Sequence, residues 1–131
     1  MFQEISHTAD IGLYIESTSY RGLFYDAALG LMQIAKIETS NDDKLFIVKY
    51  KDNASDKEIL LVNWLNFLIN KLDFNYYLVN CYISIKFNSL FSRCYFKKLN
   101  KRELLIKSAT FHNLKIIKIK NLIKTTIVFD V

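Results

Sequence analysis

The sequence predicts an α+β fold in two layers, with two helices packed on a mostly antiparallel β-sheet. Three observations carry that prediction. Apolar residues recur at three- and four-residue spacing over residues 20–36 and again over 56–74, which is the period of a helix face. From residue 77 onward, runs of alternating apolar and polar side chains follow one another with short Asn-containing connections, the pattern of antiparallel neighbours. A chain of 131 residues can bury one proper core but not two, so residues 1–131 are expected to form a single domain.

Each element has its own warrant. Residues 2–6 and 11–17 alternate with period two, Ile11, Leu13 and Ile15 set against Gly12, Tyr14 and Glu16, as half-buried strands do. Thr18 or Ser19 can cap the first helix, over about 20–36, whose apolar positions are Phe24, Ala27, Ala28, Leu31 and Ala35. Residues 45–50 read as a strand and 51–54 as a turn. Ser55 with Glu58 three residues later reads as a capping box opening the second helix. That helix is apolar around most of its circumference and keeps only a narrow polar stripe of Asn63, Asn66, Asn70 and Asp73, so it belongs at the centre of the fold. Strands are expected at about 77–87, 90–98, 103–111, 114–120 and 124–130, with Asn88-Ser89, Asn100-Lys101, Asn113 and Asn121 supplying turns in a chain without proline.

Composition narrows the function classes. Hydrophobic residues make up 51% and charged residues 24%, which excludes a disordered, highly charged chain. No apolar run reaches the roughly 18 residues of a membrane span, and no basic stretch leads into a signal-length apolar run, so a cytoplasmic protein without membrane contact is expected. Cys81 and Cys94 fall in segments that read as neighbouring strands; two thiols make no disulfide framework, and buried reduced cysteines are expected. Charge is uneven: residues 1–58 hold six Lys/Arg against ten Asp/Glu, and residues 59–131 hold twelve against three. A basic half suits an anionic partner such as RNA or an RNA-bound protein, and suits equally a solvated lysine-rich sheet face. The basic and aromatic runs at 93–98 and 115–120 carry the same two readings.

The residues with the clearest chemistry lie at the two extremities. His7-Thr8-Ala9-Asp10-Ile11-Gly12 sits between the first two expected strands, and the sequence closes on Val128-Phe129-Asp130-Val131. Asp130 and the α-carboxylate of Val131 place two acids at one strand end. If that strand runs beside the N-terminal hairpin, Asp10 brings a third, and such oxygen clusters hold hard cations. Alternatively Asp10 caps a turn and Asp130 is a frayed end. His7, Asp10 and His112 can be drawn as a hydrolytic site, but no positioned nucleophile accompanies them, and both histidines read as hydrogen-bonded structural residues. There is no phosphate-binding glycine loop, zinc-type Cys/His spacing or nucleophile motif.

Five segments, in order and spacing over the whole chain, resemble the archease family: HTADIG at 7–12, DAALGL at 26–31, LLVNWLN at 60–66, KSATFHNL at 107–114 and VFDV at 128–131. The resemblance implies a non-catalytic accessory protein of the GTP-dependent tRNA-splicing ligase, promoting guanylylation of that enzyme and its multiple turnover, with the ligase catalytic subunit as partner and at most weak or indirect contact with RNA. It further implies a divalent cation, Ca²⁺ or else Mg²⁺ or Mn²⁺, bound by the aspartate of the HTAD motif and the aspartate near the C-terminus. These map onto Asp10 and Asp130, with Val131 beside the latter. The chain departs from the family where acidic residues are common just after the Leu-Leu run of the second helix; Asn66 and Phe67 stand there, and Asn66 retains a carbonyl oxygen to offer. Lys107 and His112 match the family motif without an implied role. The rival readings are a stand-alone RNA-binding or chaperone-like module acting through the basic C-terminal sheet and, last, a metal-dependent nuclease.

Overall fold

A computed structural model describes residues 1–6 and 10–131. His7, and with it the expectation of a structural histidine, lies outside the described residues. In chain order the elements are β1 (Phe2–Ser6), β2 (Asp10–Ser17), α1 (Tyr20–Ala35), β3 (Ile37–Thr39), β4 (Phe46–Asn53), α2 (Lys57–Asp73), β5 (Tyr76–Lys86), β6 (Ser89–Arg102), β7 (Ser108–Thr110), β8 (Ile117–Ile119) and β9 (Leu122–Asp130). The α+β class and both helices are as the periodicity predicts. The strands, all paired antiparallel, divide into two sheets: β1-β2-β9-β7 with β8 also on β9, and β3-β6-β4 with β5 on the other side of β6.

Both helices start at side-chain caps. Ser19 Oγ accepts from the Gly22 N–H at 3.0 Å, and α1 ends at Lys36 in the left-handed region (φ 50°), its N–H donating to Gln33 O. For α2 the cap is Asp56, one residue later than the predicted Ser55: Asp56 Oδ1 accepts from Ile59 N–H at 2.8 Å. A carboxylate there also meets the positive end of the helix dipole. The backbone carbonyl of Ser55 instead accepts from Asn88 Nδ2, which ties the β5–β6 turn to the start of α2.

Several strand boundaries differ from expectation for one reason: alternation reports burial, whereas a strand also needs a partner. Residues 51–53, read as turn, extend β4 because Ser89–Phe91 of β6 lie opposite them. Residues 100–102, read as turn, continue β6 against β3, which the sequence reading missed. Residues 103–107 alternate only because Ile106 (1% exposed) plugs the core from a connection whose N–H groups at Glu103 and Leu104 donate to Lys36 O and Ala35 O. The expected strands at 103–111 and 114–120 thus shrink to β7 and β8.

One continuous apolar cluster joins both helices to both sheets. α2 contributes Leu60, Leu61, Val62, Trp64, Leu65, Leu68, Ile69 and Leu72, all buried. Trp64 is fully buried, and its Nε1–H donates to Phe24 O of α1 at 3.1 Å, so the largest side chain satisfies its one polar group inside the core. Phe67 stacks on Tyr50 with ring centroids 4.3 Å apart and meets Phe96 edge-on at 6.2 Å. Gly30 lets α1 lie close on β2: a Cβ there would stand 2.7 Å from Leu13 Cδ2. Among the described residues no helix is long and apolar enough to cross a membrane.

Cys81 and Cys94 face one another in register across β5 and β6, both buried and free, as expected. Burial, followed by the proximity of Cys94, pushes the Cys81 thiol up to about 12 from its ordinary 9.0; burial also raises Cys94 and, chiefly, Tyr50. The folded state therefore holds these protons more tightly than the unfolded chain. Their contribution to stability is complete below about pH 9 and is lost as pH rises from there towards 12. Urea midpoints should accordingly fall between pH 8.5 and 10.5, and the fall should be shallower in Cys81→Ala; a pH-independent midpoint in the parent protein would contradict the assignment. Replacing Trp64 with alanine should cost about 3–5 kcal/mol in urea unfolding followed by circular dichroism.

Candidate metal centre

The β2–β9 ladder brings the two ends of the described fold together. It pairs eight residues, from Asp10 opposite Asp130 to Ser17 opposite Ile123. Leu13, Ile15, Ile127 and Phe129 point inward and are fully buried. Alternation therefore directs Asp10 and Asp130 to the opposite, outer face. Asp10 is half-buried and Asp130 exposed, and Val131 folds back partly buried against the core. On the far side of β9, Ser108 of β7 is the register partner of Asp130, and the Lys107 N–H donates to Asp130 O at 2.8 Å. One row across three strands thus reads Asp10, Asp130, Ser108.

Directly opposed residues of an antiparallel pair carry their Cβ atoms about 4.5–5.5 Å apart, and like charges there repel. The ladder nevertheless holds two carboxylates in that relation, with no basic residue in the row among the described residues. A cation removes the repulsion. The donors are hard oxygens: two carboxylates and the hydroxyl of Ser108 in the same row. That set fits Ca²⁺, Mg²⁺ or Mn²⁺ and lacks the thiolate or imidazole donors that favour zinc or copper. No group of three or more His, Cys, Asp or Glu side chains clusters for metal binding among the described residues. A cation held by two carboxylates would keep coordination positions for water or phosphate oxygens, as Mg²⁺ commonly does.

The other residues singled out in the sequence fall elsewhere. Asn66 is not free to serve a cation: its Oδ1 accepts from Ala109 N–H at 2.8 Å and its Nδ2 donates to Ala109 O at 3.4 Å, closing the exposed edge of β7. Phe67 belongs to the aromatic cluster. His112 sits in the turn after β7, its ring beside Asn113 Nδ2 at 3.3 Å, and β7 runs away from Asp130 in that direction. A His112–Asp10 hydrolytic pair is not assembled. Ser108 and the Lys107 backbone were missed as site residues. The signal was present, since both belong to the KSATFHNL segment, but only the strand pairing shows which of its residues meets Asp130.

Residues 2–131 match the archease protein family (MTH1598/TM1083). The chain belongs to the archease family. It is 30% identical over 122 residues to Protein archease of Sulfolobus acidocaldarius, covering 88% of this chain and 87% of that one. The crystal structure of an archease, described as a possible chaperone, from Thermotoga maritima superposes with a TM-score of 0.70 at 26% identity, over 100% of this chain and 98% of that one. The solution structure of Methanobacterium thermoautotrophicum protein 1598 shares the fold, with a TM-score of 0.69 at 22% identity, 99% of this chain and 98% of that one being covered. Archease relatives thus span the whole fold, including both strands that carry the carboxylate row.

The opposed carboxylates make a direct prediction about stability. In EDTA, Asp130→Asn should unfold at higher urea than the parent by about 0.2–1 kcal/mol, because it removes a like-charge pair. In millimolar Ca²⁺ the order should invert. A lower midpoint for the variant in EDTA would show that the two acids do not repel.

Proposed function

We propose that this archease-family protein is a non-catalytic activator of the GTP-dependent tRNA-splicing ligase, promoting guanylylation of the ligase and its multiple turnover through a divalent-metal site formed by Asp10, Asp130 and Val131. Family membership supports the partner. The observation that carries the site is the register of Asp10 with Asp130 on adjacent strands, facing one side. When bound, the cation supplies positive charge to phosphate oxygens, which is how metals lower barriers to phosphoryl transfer.

The protein's own residues do the positioning. The eight-residue ladder and its buried inner face hold both carboxylates at the fold's edge, where a partner's active site can reach them. Lys107 N–H and the β7 pairing fix the backbone of Asp130 from the other side. Val131, packed against the core, anchors the strand end that carries Asp130. The role suggested is to present the charge rather than to break or make a bond.

Multiple-turnover ligation by the purified ligase with GTP and a divalent cation tests the reading. Asp10→Asn and Asp130→Asn should each reduce stimulation at least about tenfold, since even the hydrogen-bond partners of metal ligands are commonly worth that much. Single-turnover ligation by pre-guanylylated ligase should be unaffected. Full stimulation by both variants would overturn the proposal.

A further inference from the structure

We infer that the outward face of the β5–β6–β4 sheet is a docking surface for single-stranded RNA. This inference is independent of the metal-site reading, because it concerns the other sheet. Its inward face, with Leu90, Cys94 and Phe96 of β6, is core. The pleat therefore turns the intervening residues outward, and the register arranges them in rows. One row reads Lys49, Arg93, Tyr82 and the next Lys51, Phe91, Ser84. Lys86 and Lys97 extend the face at either end. No Asp or Glu occupies an outward position of these three strands; Asp52 of β4 points to the helix side, where its carboxylate accepts from Asn63 Nδ2 at 2.9 Å.

Two features separate this surface from an ordinary solvated sheet. Lys49 and Arg93 are directly opposed, a like-charge pair that favours a bound polyanion. The acid near this face is Asp43, 4.0 Å from Lys97 with its side chain 98% exposed, too long and too open a contact to neutralise it. The second feature is that cations lie over aromatic rings: Arg21 is 5.5 Å from the centroid of Tyr82, which is 55% exposed, and Lys51 is 5.9 Å from that of Phe91. In each pair the cation rests over the ring; drawn to a phosphate, it would leave that ring face to a base. Beside Phe91 the surface dips into a hollow of about 270 Å³ lined by Lys51, Lys86, Asn53, Ser84 and Ser89, groups able to bond a base edge, and also by Asp52, whose carboxylate is taken up by Asn63.

The chemistry favours RNA over a protein partner, because the cores of protein interfaces are depleted in lysine, and here Lys49 and Lys51 stand directly beside the central Arg93 and Phe91 with no acid in their rows. It favours unpaired over duplex RNA, since open aromatic faces on a sheet engage splayed bases that a helix keeps stacked.

Fluorescence anisotropy with a labelled 15-nucleotide uridine RNA, between 50 and 300 mM salt, tests the inference. Four to five phosphate contacts give a slope of log K on log salt of about −3. Lys49→Glu with Arg93→Glu should weaken binding at least tenfold at 50 mM salt and flatten the slope by about 1.4. The same double reversal at Lys118 and Lys120, on the other sheet, should leave the slope as it is. Tyr82→Ala should weaken binding about fivefold without changing the slope. Binding should persist in EDTA and in Asp10→Asn, which separates this result from failure of the metal site. Circular dichroism confirms that the variants are folded. The inference is overturned if no binding occurs at 50 mM salt, if both double reversals act alike, if duplex RNA binds as tightly, or if Lys49→Glu/Arg93→Glu loses the ligase while keeping RNA.

Discussion

The pairing of β2 with β9 is the constraint on which the rest of the molecule depends. β9 is the central strand of its sheet, with β2 along one side and β7 and β8 along the other. Its inward residues, Ile123, Ile127 and Phe129, are buried, as are Leu13 and Ile15 of β2. A slip of one residue would turn every one of these to the wrong face, at a cost of about 1.5–3 kcal/mol for each exposed side chain. Cross-strand repulsion between Asp10 and Asp130 is smaller, about 1 kcal/mol or less. The core therefore dictates the register, and the acids stand opposed because they have no alternative. The juxtaposition of Asp10 with Asp130 is thus maintained by packing in which neither acid takes part.

The helices extend this control. α2 is locked to α1 by the Trp64–Phe24 bond and to the second sheet by the stack of Phe67 on Tyr50. From its polar stripe Asn66 reaches Ala109 with both donor and acceptor, so the short strand β7 gains on its open edge the pairing that a neighbouring strand would otherwise give. Ala109 is next to Ser108, which pairs with Asp130. Position 66 thus supports the carboxylate row through the backbone of β7 rather than by offering a ligand. An aspartate there would keep the acceptor for Ala109 N–H and lose the donor for Ala109 O, which explains an amide at this position.

The sequence made both helices legible because their period is long and their caps chemically distinct; the Ser55 for Asp56 error is one residue between two capable caps. β2 and β9 were legible because one face of each is core, Leu13 and Ile15 on β2 and Ile123, Ile127 and Phe129 on β9. The segment around Ile106 was misread because a loop that inserts one residue into a core alternates just as a strand does. Division into two sheets was not legible at all, since it depends on which strands find each other and not on any strand's own pattern. For the carboxylate row, chemistry was readable at Asp10 and Asp130 while proximity was not. Alternation shows which face a side chain takes, but only long-range pairing shows what lies opposite, and Ser108 entered the row by that route alone.

The charge asymmetry along the chain gives a further step. Read by halves, the acids are N-terminal and the bases C-terminal, yet folding redistributes them by surface. Lys49 and Lys51 come from the acidic half and complete the basic face, whereas Lys124 of the basic half lies opposite Glu16 on the first sheet, and the first-turn Glu58 of α2 accepts from Ile116 N–H beside β8. Lys124 of the first sheet thus has an acid opposite it, while the basic residues on the outward side of β4, β5 and β6 have none in their rows. Cross-strand pairing is what makes the difference, because it fixes a neighbour about 5 Å away on the same face where sequence distance fixes nothing. One fold consequently carries two surfaces of opposite sign, an acidic row at the strand ends of the first sheet and a cationic face on the second, neither with an opposite charge in register among the described residues. Each is held in place by the burial of residues on its reverse side.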